Sequence, residues 1–167
     1  MKDTIMKRTL CLILALLCFL PVFTACTKGT TYAVEEMKIT LPDGFIEVPT
    51  TRRGSSFESE RMAIKVVRES RSVVEDVADT SDVSLETYAD LVLAHNKLDL
   101  PLERKENCLA YSYVALDEEV NLNFTYYVTV HKSRDAYWLV QFIVRESDYD
   151  NYTDEIETYL KSIEFDT

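Results

Sequence analysis

The chain reads as an α+β domain in which a largely antiparallel sheet is covered by helices on both sides. Three observations predict this class. Between residues 107 and 145, three strand-like segments follow one another with only short turns between them, the mark of antiparallel neighbours. The last, "AYWLVQFIVR", is apolar on both faces apart from Gln141, as a strand between two layers must be. Two amphipathic helical patterns, one before this group and one after it, supply the covering layers.

The elements follow in order. In "VEEMKITLPDGFIEV", Met37, Ile39 and Leu41 alternate with Lys38 and Thr40, the period of a half-buried strand. Pro42 and Gly44 supply a turn, and a short extended piece follows. "TTRRGSSFESE" reads as a polar loop, and "RMAIKVVRE" as a strand with Met62, Ile64 and Val66 on one face. "SRSVVEDVADTSDVS" is ambiguous, with Ser72 and Glu75 spaced for a capping box around one helical turn. "SLETYADLVLAHNKL" is a clear helix: Ser84 is a good N-cap, and Leu85, Tyr88, Leu91 and Val92 form one stripe.

"NCLAYSYVAL" then turns at Asp117-Glu118-Glu119 into "VNLNFTYYVTVH". There Val120, Leu122, Phe124, Tyr126, Val128 and Val130 face one way, while Asn121, Asn123, Thr125 and Thr129 face the other. The turn "KSRD" leads into the doubly apolar strand. In "DYDNYTDEIETYLKSIEF", Tyr149, Tyr152, Ile156, Tyr159 and Ile163 recur at helical spacing, with Ser147 or Asp148 as the expected cap. A short extended tail closes the chain.

The first residues carry a separate signal. Lys2, Lys7 and Arg8 precede an unbroken apolar run from Leu10 to Phe23, and small residues Thr24 and Ala25 precede Cys26. A bilayer span needs about 20 apolar residues, so this shorter run suits a secretory signal better than a transmembrane helix. "FTAC" resembles the lipobox of bacterial lipoproteins, although Phe23 stands where that motif usually has Leu. The resemblance implies diacylglycerol on the Cys26 thiol and cleavage just before it. The expected organisation is a signal peptide over 1–25, a lipidated N-terminus and short tether over 26–33, and a single domain over 34–167. Cys11 and Cys18 leave with the signal, so the alternative role for Cys26 is a disulfide with Cys108.

Composition narrows the function classes. The chain has a formal net charge of −11, and the segment removed is itself basic, so the remainder is more acidic still. Such a surface repels nucleic acid and anionic head groups, which leaves the acyl chains to hold the membrane. The 3 glycines are Gly29, Gly44 and Gly54, too few and too scattered for a glycine-rich phosphate cradle.

Strand "AYSY", the hairpin into "FTYYVTV", the "YWLVQF" strand, the terminal helix and the early "ITLPDGF" together resemble the PsbP-like fold. That family includes the extrinsic photosystem II protein, a Ran-binding nuclear import factor and many small bacterial lipoproteins. The resemblance spans roughly residues 34 to 166 and implies an α/β/α sandwich on an antiparallel sheet. It carries over no site residue, because the family shares no active site.

No catalytic constellation emerges. His95 ends a helix and His131 ends a strand, and neither belongs to a metal-spaced cluster, so both read as structural, His131 as a surface residue. Asp148, Asp150 and Asp154 sit at calcium-loop positions, but Thr153 stands where glycine is needed and Tyr159 where the bidentate glutamate belongs. The expectation is therefore no cofactor, no metal and no enzyme. In its place stands a membrane-anchored extracytoplasmic module that binds a protein partner or assists assembly. The alternative is a sugar- or peptide-binding pocket under the aromatic strands, which turns on whether Tyr111, Tyr113, Tyr127 or Tyr137 lies on an open face.

Overall fold

The computed structural model describes residues 29–48, 50 and 54–166. The apolar run and Cys26 lie outside the described residues. The described residues begin with strand β1 (Gly29–Val34), which turns through Glu35, at φ 51°, into β2 (Met37–Pro42). The expected tether thus gives way at Gly29: residues 29–33 pair with β2 in antiparallel register. The Thr-Thr-Tyr-Ala-Val run is rich in strand formers, and Tyr32 ties it down. The Tyr32 ring centroid lies 4.8 Å from that of Phe57, and its hydroxyl donates to the Phe45 carbonyl at 2.8 Å.

The main sheet adds β3 (Ile46–Val48), β4 (Gly54–Glu58), β5 (Met62–Ser70), β6 (Glu103–Arg104), β7 (Leu109–Asp117), β8 (Leu122–Lys132) and β9 (Ala136–Arg145). Its order is β3-β4-β5-β9-β8-β7-β6, with every pair antiparallel. β9 takes the central place that its two apolar faces demand. The expected polar loop at 50–60 instead contains β4, whose Phe57 is fully buried. Gly54 makes that pairing possible, because a Cβ at its φ of +133° would collide with the Val66 carbonyl.

Helices α1 (Arg71–Ala78) and α2 (Leu85–His95) lie on one face of this sheet. They pack Val74, Tyr88, Ala89, Val92 and Leu93 onto Leu109, Val128, Val130, Tyr137 and Leu139. Ser84 caps α2 as expected, its side chain accepting from Thr87 N. The Ser72–Glu75 box does not form, since α1 starts two residues earlier, with Ser70 at the N-cap directly from β5. Glu75 instead accepts from Arg71 Nε at 2.7 Å and from Asp82 N at 3.0 Å, closing the loop that follows.

The other face carries helix α3 (Thr153–Lys161) together with β1, β2 and the two-residue β10 (Glu164–Phe165), which form a second sheet in the order β1-β2-β10. A 3-10 turn over Glu146–Asn151 precedes α3, so the expected Ser147 or Asp148 cap is replaced by Tyr152, without a side-chain bond. The Tyr149–Ile163 stripe stays continuous across the two pieces and packs on Phe142, Val144 and their neighbours. The α+β class with helices on both faces of an antiparallel sheet is therefore as expected, with a small sheet sharing the α3 layer. Arg68 clamps the β1–β2 turn to the main sheet through Glu35 at 2.8 Å and Glu36 at 3.1 Å. Burial alone would raise the Glu36 carboxyl, but the Arg68 hydrogen bonds and charge hold it below the usual range.

Candidate functional site

The register across β5, β9, β8 and β7 decides which side chains share the helix-side face. The row Val67, Leu139, Val130, Leu109 lies under α1 and α2. Two residues along come Lys65, Gln141, Val128 and Tyr111, then Ala63, Ile143, Tyr126 and Tyr113, and last Arg145, Phe124 and Ala115. Val128 and Tyr111 are still buried, whereas Tyr113, Phe124, Tyr126 and Ala63 are only half-buried. The helices thus cover one half of the face and leave the other open.

An aromatic ladder runs across that boundary. The Tyr113 and Tyr126 rings are nearly parallel, at 4.9 Å and 5°, and Tyr113 stacks on buried Tyr111 at 6.4 Å and 18°. Cross-strand aromatic pairs of this kind stabilise a sheet, and here they also present flat rings to solvent. Of the four tyrosines singled out in the sequence, Tyr113 is therefore on the open face. Tyr137 is enclosed, with its ring centroid 4.5 Å from that of Tyr88 and its hydroxyl donating to the Val83 carbonyl. Tyr127 is buried on the opposite side of the sheet beside Phe142.

Charge marks the same half. Lys65 and Arg145 are exposed and have no ion-pair partner among the described residues. Among the described residues the Arg61 guanidinium donates only to the Tyr152 hydroxyl, at 3.4 Å. At this edge Arg61, Phe124, Ile143 and Arg145 line a depression of about 690 Å³ together with the acids Glu58, Glu60 and Asp148. In a chain of net charge −11, cations without an ion-pair partner among the described residues, beside half-buried aromatics, form a locally distinct surface. It is an open face, not an enclosed pocket beneath the strands.

The residues examined for chemistry fall elsewhere. His95 is exposed at the end of α2. His131 is not at the surface as expected: it is 3% exposed, between Thr129 and the Phe165 ring. Burial holds its pKa down to about 4, so the ring is neutral. Cys108 is buried and free, and desolvation pushes its thiol up to about 11. Both line one cleft near β10. A thiol and an imidazole shifted in these directions supply neither the thiolate nor the imidazolium of a Cys–His nucleophile. Among the described residues no group of three or more His, Cys, Asp or Glu side chains is placed to hold a metal ion, and no helix is long and apolar enough to cross a membrane.

No family model and no curated protein matches this chain. Solved structures do resemble it. A crystal structure of a Bacteroides thetaiotaomicron protein gives a TM-score of 0.57 at 11% identity, over 83% of this chain and 48% of that one. This chain thus spans about half the length of that protein. The solution structure of cyanobacterial PsbP (CyanoP) from Synechocystis sp. PCC 6803 gives a TM-score of 0.54 at 11% identity, over 86% of this chain and 96% of that one. At such identity the likeness is one of fold, and the fold is PsbP-like.

Proposed function

We propose, from the PsbP-like fold as premise, that this chain is a membrane-anchored extracytoplasmic lipoprotein. Its domain is a non-catalytic binding or assembly-assisting module whose protein partner docks on the open half of the main sheet. The observation that carries this reading is the half-exposed Tyr113–Tyr126 stack with unpaired Lys65 and Arg145 around it. Aromatic rings give large contact area at low entropic cost, and interfaces are enriched in them and in arginine.

Support for the anchor comes from the basic end, the apolar run and the lipobox-like "FTAC". β1 begins at Gly29, close behind Cys26, so about 10 Å of chain at most would separate lipid from folded domain. A module tethered that closely meets partners in or on the same membrane.

Intact-mass analysis of the membrane-extracted protein should find a chain starting at Cys26 and carrying diacylglycerol. Cys26→Ser should abolish that mass and release the domain; lipid retained on the Cys26→Ser protein would contradict the anchor. For docking, Tyr113→Ala with Tyr126→Ala should weaken partner retention about tenfold or more. Retention unchanged in a folded double variant would refute the surface.

A further inference from the structure

One edge of the main sheet is left long and uncovered. β6 pairs only with Leu109 and Ala110 of β7, and among the described residues the backbone from Tyr113 to Leu116 is paired only with β8. Pro101 and Ser112 line one small depression, so the free length starts at Tyr113. The opposite edge, β3, is 3 residues long, carries Glu47 and is followed in sequence by Pro49, all of them guards against pairing. β7 has none of these. Its register with β8 runs unbroken from Leu109 to Asp117, without a bulge, and residues 107–116 contain neither charge nor proline.

Exposed apolar side chains gather at the same place. Among the described residues seven large hydrophobics are exposed, and four of them, Val114, Leu116, Val120 and Leu122, belong to the free end of the β7–β8 hairpin. Val114 and Leu116, at 49% and 56% exposure, point to the inner face beyond the cover of α3 and the small sheet. Neither lines one of the clefts of about 210 to 690 Å³ on this surface. A lone peptide laid along β7 would therefore find backbone partners but no pockets for its side chains. Insertion of the tip into a bilayer would drag Asp117, Glu118 and Glu119 along with it. A second copy meets neither obstacle, because it brings the same uncharged edge with its own Val114 and Leu116. In a chain of net charge −11, this is a stretch where two copies can pair without setting like charges opposite each other.

We propose that two copies of this chain pair through β7, edge to edge and antiparallel, with the two-fold axis at Ala115. Val114 of each copy then lies across from Leu116 of the other, and Tyr113 across from Asp117, so the exposed aliphatic side chains of the inner face cover each other. The small Ala115 sits at the axis, where it meets its own counterpart. The paired stretch runs from Tyr113 to Asp117 and ends before either strand reaches the other copy's Pro101 and β6. So short an edge buries less than a standard interface, and the dimer is weak. Because the axis of an antiparallel pair stands normal to the sheet, the open halves of both copies face the same way, side by side. The Tyr113–Tyr126 strip is thereby doubled, a consequence that rests on the docking surface proposed above.

Disulfide trapping in the purified full-length protein tests the pairing, with Thr158→Cys on the outer side of α3 as the background. Opposite Cα atoms of an antiparallel pair lie about 4.5–5.5 Å apart, within disulfide reach. Ala115→Cys should therefore give a cross-linked dimer several-fold above that background on mild oxidation. Differently tagged Val114→Cys and Leu116→Cys proteins, once mixed, should cross-link to each other several-fold more than either does to itself. Adding Leu116→Lys to Ala115→Cys should cut the dimer about tenfold, and because Leu116 is exposed that variant keeps its fold. Arg145→Glu, on the partner-docking surface, should leave the cross-link unchanged, which separates this test from a failure of partner docking. The proposal is overturned if Ala115→Cys cross-links no more than Thr158→Cys, or if Leu116→Lys leaves the dimer intact. Oxidation in intact cells that joins Ala115→Cys to a chain other than its own copy would overturn it as well.

Discussion

His131 illustrates how one residue departs from its pattern. It follows Val130 at the end of an alternating strand, on the side of β8 where Asn121, Asn123, Thr125 and Thr129 suggest solvent. In the folded chain that side is the interior, because the β1-β2-β10 sheet and α3 pack against it. Thr129 donates to the Val140 carbonyl at 3.3 Å and lies 2.9 Å from His131 Nε2, which assigns the ring proton to Nε2. A consequence for stability follows. In the unfolded chain the ring takes a proton near pH 6.5, and in the folded chain only near 4. Below pH 6.5 the unfolded state therefore binds more protons, and stability falls as the pH is lowered toward 4. The loss across that window is on the order of 3 kcal/mol, with no contribution from this group above it. Urea titrations at pH 7 and pH 4.5 should show the drop, and His131→Gln should remove most of it. An equal drop in both proteins would place the acid sensitivity elsewhere.

At the scale of elements, the strongly periodic segments were readable and the short or mixed ones were not. Met37, Ile39 and Leu41 announce β2, Ser84 announces the start of α2, and the absence of a polar face in β9 announces its central position. β4 escapes because "GSSFE" has a single large apolar residue, and one residue sets no period. β1 escapes because only its end is anchored, by Tyr32 and Val34, while Gly29 to Thr31 are exposed and set no period. The two readings of β4 differ in energy. Phe57→Ala should cost about 3–5 kcal/mol if Phe57 fills the core between β2 and β5, and well under 1 kcal/mol if the segment were a solvated loop. Denaturant midpoints compared at constant m-value decide it.

The whole molecule divides its two sheet faces unequally. The inner face is covered by α3 and the small sheet except at its β7 edge, where Val114 and Leu116 are exposed, while α1 and α2 stop partway along the outer one. The apolar row of β8 was visible in the sequence from Leu122 to Val130, but its cover was not, since helix length says nothing about where a helix lies on a sheet. The result is an acidic protein with a half-exposed aromatic strip and unpaired cations on one side. The docking surface we propose is that strip, and a tether at Cys26 would keep it near the membrane. The most direct measurement is cross-linking in intact cells with a photoreactive phenylalanine at position 126, compared with one at Thr158 on the outer side of α3. The account predicts one discrete adduct from position 126, lost when Arg145 is changed to Glu, and none from position 158. Adducts from position 158 alone, or equal adducts from both, would contradict it.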